Sequence, residues 1–180
     1  LVNWLYEHHP NINILINNAA IVHKTNFFTK KTIVMAQQEV AVNFIAPMRL
    51  THLLINQLKG NKKPRIINIT TGLIYAPRAD YPFYNATKSA LHSFTQILRK
   101  QLEDTTIKVA EVMFPAVDTP WHNGNPPKIA ITPQRAVEEM LKGVQKEKHE
   151  IRVGGAKLIY RVARIAPNLA FKLINNLKDK

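Results

Sequence analysis

Tyr84 and Lys88 stand four residues apart in the run Tyr84-Asn85-Ala86-Thr87-Lys88. On a helix that spacing puts both side chains on one face, so the ammonium can lie beside the phenol. A phenol ionises near pH 10, and to exchange a proton near neutrality its phenolate must be favoured by about 4 kcal/mol. A neighbouring cation in a partly dry site acts in that direction. The same spacing also arises by chance on surface helices, so the pair needs company. Tyr75 and Tyr81 do not compete, because Ala79 and Asn85 occupy their +4 positions.

Thr71 lies thirteen residues before Tyr84, at the end of the apolar run Ile66 to Thr70. In doubly wound sheets ligands bind at the carboxyl ends of strands, where a hydroxyl can meet a substrate carbonyl. Equally, Thr70 and Thr71 can close a strand by local hydroxyl bonds. Asn17-Asn18-Ala19-Ala20 follows a second apolar run and reads either as a site loop or as a turn. Asn43 sits inside a helical stretch, where Asn is unfavourable unless it has a buried role or is simply solvated. Pro115-Ala116-Val117-Asp118-Thr119 follows a third apolar run, again at a strand end or as an ordinary Pro-initiated loop.

The elements that must position these residues alternate, strand then helix, which is the pattern of an α/β fold with a parallel sheet. A helix end over Val2 to Glu7 stops before Pro10. Buried strands are expected at Ile12 to Ile16, Arg65 to Thr70 and Val109 to Phe114, with a short one at Glu150 to Val153. Long helices are expected from about Thr32 to Leu58 and from about Tyr81 to Leu102. The second carries Ala86, Ala90, Leu91, Phe94, Ile97 and Leu98 at helical spacing. Thr71 to Asp80 and Pro115 to Pro127 read as loops. Thr132 caps a helix running from Pro133 to about Lys146. Two basic amphipathic helices, Lys157 to Ile165 and Asn168 to Leu177, flank Pro167. This is part of a doubly wound sheet with helices on both faces, one partial domain over residues 1–180, with residues 156–180 as a basic C-terminal section. One sheet edge is left open, a liability unless something covers it.

The 180 residues, 46% of them hydrophobic, suit one globular core. There is no cysteine, which removes disulfides, thiolate nucleophiles and cysteine metal sites and makes the cytoplasm the expected compartment. The seven histidines form no His-Glu-x-x-His pattern, and no metal site is expected. No apolar run approaches the roughly 18 residues needed to span a bilayer. The net charge is +13, with ten Lys or Arg against three Asp or Glu from Leu141 to Lys180. Such an excess is either a solvated surface or an attractor of anionic surfaces. Nucleic acid is not expected as a partner, while membrane-surface contact stays open.

Taken together, in this order and each on its own element, the motifs resemble those of the short-chain dehydrogenase/reductases from about residue 10 to residue 120. Asn17 to Ala20 matches the family's Asn-Asn-Ala-Gly loop, Asn43 its catalytic Asn, and Thr71 its catalytic Ser. Tyr84 and Lys88 match its Tyr and Lys, and Pro115 to Thr119 its Pro-Gly-x-x-x-Thr segment. Ile67 to Leu73, Ala90 to Thr95, Val117 to Thr119 and the tail from Glu150 to Asn175 are similar to the DltE-like bacterial branch.

The resemblance implies a Rossmann-like fold and an NAD(P)-dependent oxidoreductase that reduces carbonyls or oxidises alcohols by hydride transfer. It implies Tyr84 as acid or base, with Lys88 lowering its pKa and binding the nicotinamide ribose. Thr71 would orient the carbonyl, and Asn43 would hold a water in a relay from Lys88. Pro115, Val117 and Thr119 would lie along the nicotinamide side of NAD or NADP, and Asn17, Ala19 and Ala20 beside the adenosine half. Trp121 to Ile131 would form the substrate loop. The two long helices would pair in a homo-oligomer.

Thr71 in place of Ser keeps the hydroxyl but stiffens the rotamer. Ala20 and Ala116 each put a Cβ where the family has Gly. The six glycines make no Thr-Gly-x-x-x-Gly-x-Gly spacing, the loop that seats a pyrophosphate on a helix N-terminus. The chain therefore corresponds to the family's catalytic C-terminal portion, and weak dinucleotide binding and little activity are expected of it alone. Two other readings remain: a non-catalytic relative that binds a ligand or partner, and an anionic-surface binder acting through the basic C-terminal helices.

Overall fold

The structure, a computed structural model, describes residues 1–177. The last three residues of the expected basic section 156–180 lie outside that range. The apolar runs become four parallel strands: β1 (Ile14–Asn17), β2 (Arg65–Thr71), β3 (Lys108–Phe114) and β4 (Glu150–Arg152). They pair in sequence order, with Ile14 opposite Arg65, Arg65 opposite Lys108, and Glu111 opposite Glu150. The helices are α1 (Val2–His8), α2 (Thr32–Val40), α3 (Ala46–Lys59), α4 (Pro82–Gln101), α5 (Pro133–Gln145), α6 (Ala156–Ile165) and α7 (Pro167–Asn175). The α/β, Rossmann-like arrangement expected from the sequence is what the chain adopts.

Successive residues of a strand point to opposite faces, and the core divides accordingly. Ile66 and Val109 pack with Leu54, Leu58 and Leu98 of α3 and α4. Ile67, Ile69 and Val112 pack on the other face with Ala136 of α5 and Ile151 of β4. Helix α5 comes close because Gly143 has no side chain. A Cβ there would stand 2.6 Å from Ile151 Cγ2. Thr132 caps α5 as expected, its side-chain oxygen accepting from the Arg135 N–H at 3.3 Å. Strand β1 lies at an edge, with Ile14 46% and Ile16 47% exposed.

Most boundaries fall within two residues of the sequence reading, and two departures bear on the site. The first strand starts at Ile14, because Asn13 faces the loop before β2: its side-chain amide donates to the Lys62 carbonyl at 2.8 Å. The helix expected from Thr32 to Leu58 is divided by a wider π turn at Ala41–Ile45, closed by Ala46 N–H donating to the Ala41 carbonyl. Pro47 explains the break. It has no N–H to give the Asn43 carbonyl four residues back. No helix among the described residues is long and apolar enough to cross a membrane.

Candidate active site

The carboxyl ends of β1, β2 and β3 converge with the first turns of α4 and the π turn. Thr71 ends β2 in extended backbone (φ −141°, ψ 154°), and its side-chain oxygen accepts from the Leu73 N–H at 3.3 Å. Its hydroxyl also neighbours the Tyr84 phenol, whose pKa it lowers. A Cβ on Gly72, the next residue, would stand 3.1 Å from Ala156 Cβ, so the backbone behind Thr71 is backed by the start of α6.

Tyr84 and Lys88 lie one turn apart on α4, with the Lys88 Nζ 5.8 Å from the Tyr84 ring centroid. Lys88 is only 2% exposed. Its ammonium donates to the Ile69 carbonyl at 2.8 Å. Burial lowers the Lys88 pKa to about 8. Burial also pushes the Tyr84 phenol up to about 12. The Thr71 hydrogen bond pulls it back in part, and the Glu39 carboxylate adds to the rise. Lys88, expected to depress the Tyr84 pKa, is not among the groups that shift it here. Dry surroundings dominate, weaken the ammonium too, and Lys88 is turned to a backbone carbonyl. Tyr84 holds its proton at neutral pH.

Asn43 is fully buried. Its Nδ2 donates to the Ile21 carbonyl at 2.8 Å and to Thr87 Oγ1 at 3.2 Å, and its Oδ1 accepts from the Ile21 N–H at 2.8 Å. The side chain thus clamps the loop after β1 onto α4. Pro47 has no N–H to donate to the main-chain carbonyl of Asn43.

Asn17 is buried as well. Its Nδ2 donates to Asn68 Oδ1 at 2.7 Å, and Asn68 Nδ2 donates to Thr95 Oγ1 at 2.8 Å. Its side chain ties β1 to β2 and through Asn68 to α4. Ala19 and Ala20 follow it on the exposed surface at the sheet end. Pro115, Val117 and Thr119 are partly buried after β3. Val117 forms a bridge to Ile131, which closes the base of the loop between them. In that loop Trp121 meets Tyr81 edge-on, with ring centroids 5.8 Å apart. Neither Ala20 nor Ala116 is at positive φ, so the missing glycines cost no backbone strain.

Glu39 escaped the sequence reading. It is fully buried, and its Oε1 accepts from the His23 main-chain N–H at 2.8 Å and contacts His23 Nδ1 at 2.9 Å. Its Oε2 has no hydrogen-bond partner. The signal available was its place four residues before Asn43, on the same helix face. Together the two side chains grip Ile21 and His23, alternate residues of one extended loop.

Residues 1–129 match the family model described as short chain dehydrogenase. The uncharacterized oxidoreductase DltE of Bacillus subtilis (strain 168) is 36% identical over 157 residues, covering 84% of this chain and 62% of that protein. An NADP-dependent 3-hydroxy acid dehydrogenase of Schizosaccharomyces pombe is 30% identical over 115 residues, covering 62% of this chain and 43% of that protein. The chain spans less than two thirds of the length of these curated relatives. Among solved structures, a short chain dehydrogenase from Burkholderia cenocepacia J2315 in complex with NADP superposes with TM-score 0.86 at 22% identity, over 96% of this chain and 73% of that one. One from Burkholderia phymatum in complex with NAD gives TM-score 0.77 at 14% identity, over 99% and 73%.

Proposed function

Since the chain belongs to the short chain dehydrogenase family, in its DltE-like branch, we propose that it carries the proton-transfer site of an NAD(P)-dependent oxidoreductase acting on small carbonyl or alcohol substrates. The observation that carries this is the meeting of two separated elements, β2 and α4, at Tyr84. Its phenol neighbours Thr71 at the end of β2 and has the Lys88 ammonium 5.8 Å from its ring centroid, in surroundings dry enough to bring that lysine to about 8.

The residues fit a cofactor's nicotinamide-ribose half. A lysine ammonium has three N–H donors, and Lys88 is almost fully buried with one hydrogen-bond acceptor, the Ile69 carbonyl. A ribose diol supplies the missing acceptors. NAD or NADP, when bound, supplies or accepts the hydride. In reduction Tyr84 then gives its phenolic proton to the developing alkoxide, while the Thr71 hydroxyl orients that oxygen. The proton returns to Tyr84 by way of Lys88 and a water held at the Asn43 main-chain carbonyl. Pro115, Val117 and Thr119 flank the nicotinamide side, and Ala19 and Ala20 leave room beside the adenosine half. The Asn17 side chain supports that loop from within. In oxidation the same groups act in reverse.

Assay of an aldehyde and ketone panel with NADH and with NADPH, followed by nicotinamide absorbance, tests the reading. Turnover with one of the two cofactors is expected, slow and only at high cofactor concentration because these residues alone bind dinucleotide weakly. Folded protein that binds a dinucleotide yet turns over nothing in the panel would move the chain to the non-catalytic reading.

A further inference from the structure

Helices α6 and α7 present a face that the oxidoreductase reading does not use. Their inner sides are filled: Ala170 and Ile174 are buried with Ala76, and Ile159, Val162 and Ala163 pack against them. A helix that has buried one face in a core ordinarily turns polar residues outward. Here the outward positions are cationic and apolar. On α6, Lys157, Arg161 and Arg164 are exposed at spacings of four and three and form one stripe. Leu158 and Ile165, seven apart and also exposed, form a second stripe beside it, with Ile165 at 87% exposure. On α7, Leu169, Lys172 and Leu173 continue the same composition at exposed positions.

The two helices carry no acid of their own to neutralise this face. No Asp or Glu occurs from Ala156 to Leu177. From outside the pair, Glu139 of α5 reaches Lys157, with Oε2 2.8 Å from Nζ. Arg164 lies 5.3 Å from the Tyr160 ring centroid, a contact that brings no acid to the face. An occupant must therefore accept leucine and isoleucine side chains and at the same time offer negative charge. Nucleic acid offers the charge without an apolar phase. A bilayer containing anionic lipid offers both, phosphate headgroups for the stripe of Lys and Arg and the acyl boundary for Leu and Ile.

We propose that the α6–α7 face is a docking surface for anionic lipid bilayers, with both helices lying flat in the headgroup region and the sheet held above it. The choice of occupant rests on charge complementarity, a cationic and apolar face whose one acidic partner among the described residues is Glu139 at Lys157, on a chain of net charge +13. It does not depend on the proposed reaction.

Flotation with phosphatidylcholine vesicles, with and without phosphatidylglycerol, tests this at low and high salt. Recovery with the mixed vesicles at low salt, release by high salt and no recovery with phosphatidylcholine alone are expected. Each cation near an anionic surface strengthens partitioning about fivefold, so Arg161→Gln with Arg164→Gln should weaken it about 25-fold. Leu158→Ser with Ile165→Ser should weaken it about tenfold or more. All four sites are exposed, so unchanged thermal melts certify the fold. No recovery with the mixed vesicles, or recovery that neither double variant reduces, overturns the proposal. So does a loss of self-association in those variants without any vesicle binding, since the face would then join copies of the chain.

Discussion

At Tyr84, burial opposes ionisation more strongly than its neighbours favour it, and the same burial disfavours the Lys88 ammonium. This gives the stability of the protein a defined pH dependence. Below about pH 8 folded and unfolded chains both carry the Lys88 proton. Between about 8 and the ordinary 10.5 the folded chain sheds it while the unfolded chain keeps it, so stability rises with pH over that window. Tyr84 acts in the opposite sense. Above its ordinary 10.0 the unfolded phenol ionises while the folded one holds its proton to about 12, and stability falls. Denaturant unfolding of wild type and Lys88→Met at pH 7.5 and pH 9.5 (design values of about these magnitudes) checks this. The rise should be absent in the variant; a rise of equal size in both would remove Lys88 as its source.

At the scale of elements, the positions of β2, β3, α4 and α5 were legible in the sequence because their apolar spacing, the Thr132 cap and the Pro133 start all agree. The order of Thr71, Tyr84 and Lys88 along them was legible for the same reason. The π turn was not. Apolar periodicity runs through Ala41–Ile45 without a gap, and the effect of Pro47 is on a hydrogen bond rather than on the pattern. The Glu39–His23 clamp was hidden because burial of a carboxylate depends on a loop whose path no local spacing encodes. Nor did the pattern reveal the Val117–Ile131 bridge, which joins loop residues fourteen apart. Close packing of α5 on β4 was equally invisible, since Gly143 reads as a weak helix former. Substituting Gly143→Ala gains helix propensity worth about 1 kcal/mol, but the new methyl meets Ile151, which is itself buried. Overpacking of this kind costs about 1–3 kcal/mol, so a net loss of up to about 2 kcal/mol is expected in thermal or denaturant unfolding. A more stable variant would mean that Ile151 yields freely.

For the whole molecule, the helices α2, α3 and α4 carry exposed apolar side chains. Ile33 and Val34 of α2, Leu53 of α3 and Ile97 of α4 are each at least 45% exposed. Exposed patches of this composition mark contacts between chains, and we propose that two copies pair through α2–α3 and α4. Leu53→Glu with Ile97→Glu should shift the mass in analytical ultracentrifugation towards the single chain, while the melt is little changed. An unaltered mass would place the contact elsewhere. The six glycines lack the phosphate-loop spacing, so these 180 residues alone should bind NADH and NADPH weakly. Tight, saturable binding in a fluorescence titration would contradict that.

The central claim is that Tyr84 transfers the proton. It is tested most directly by comparing turnover of the protein and its Tyr84→Phe variant, at matched cofactor saturation and on the best substrate of the carbonyl panel. Removal of one hydroxyl leaves the ring, the α4 face and the cofactor contacts in place. Loss of turnover by about 10²–10⁴-fold with cofactor binding retained is the predicted result. A variant that turns over as fast as the parent would contradict the account, and the assembly of Thr71, Tyr84 and Lys88 would then have to be read as structural.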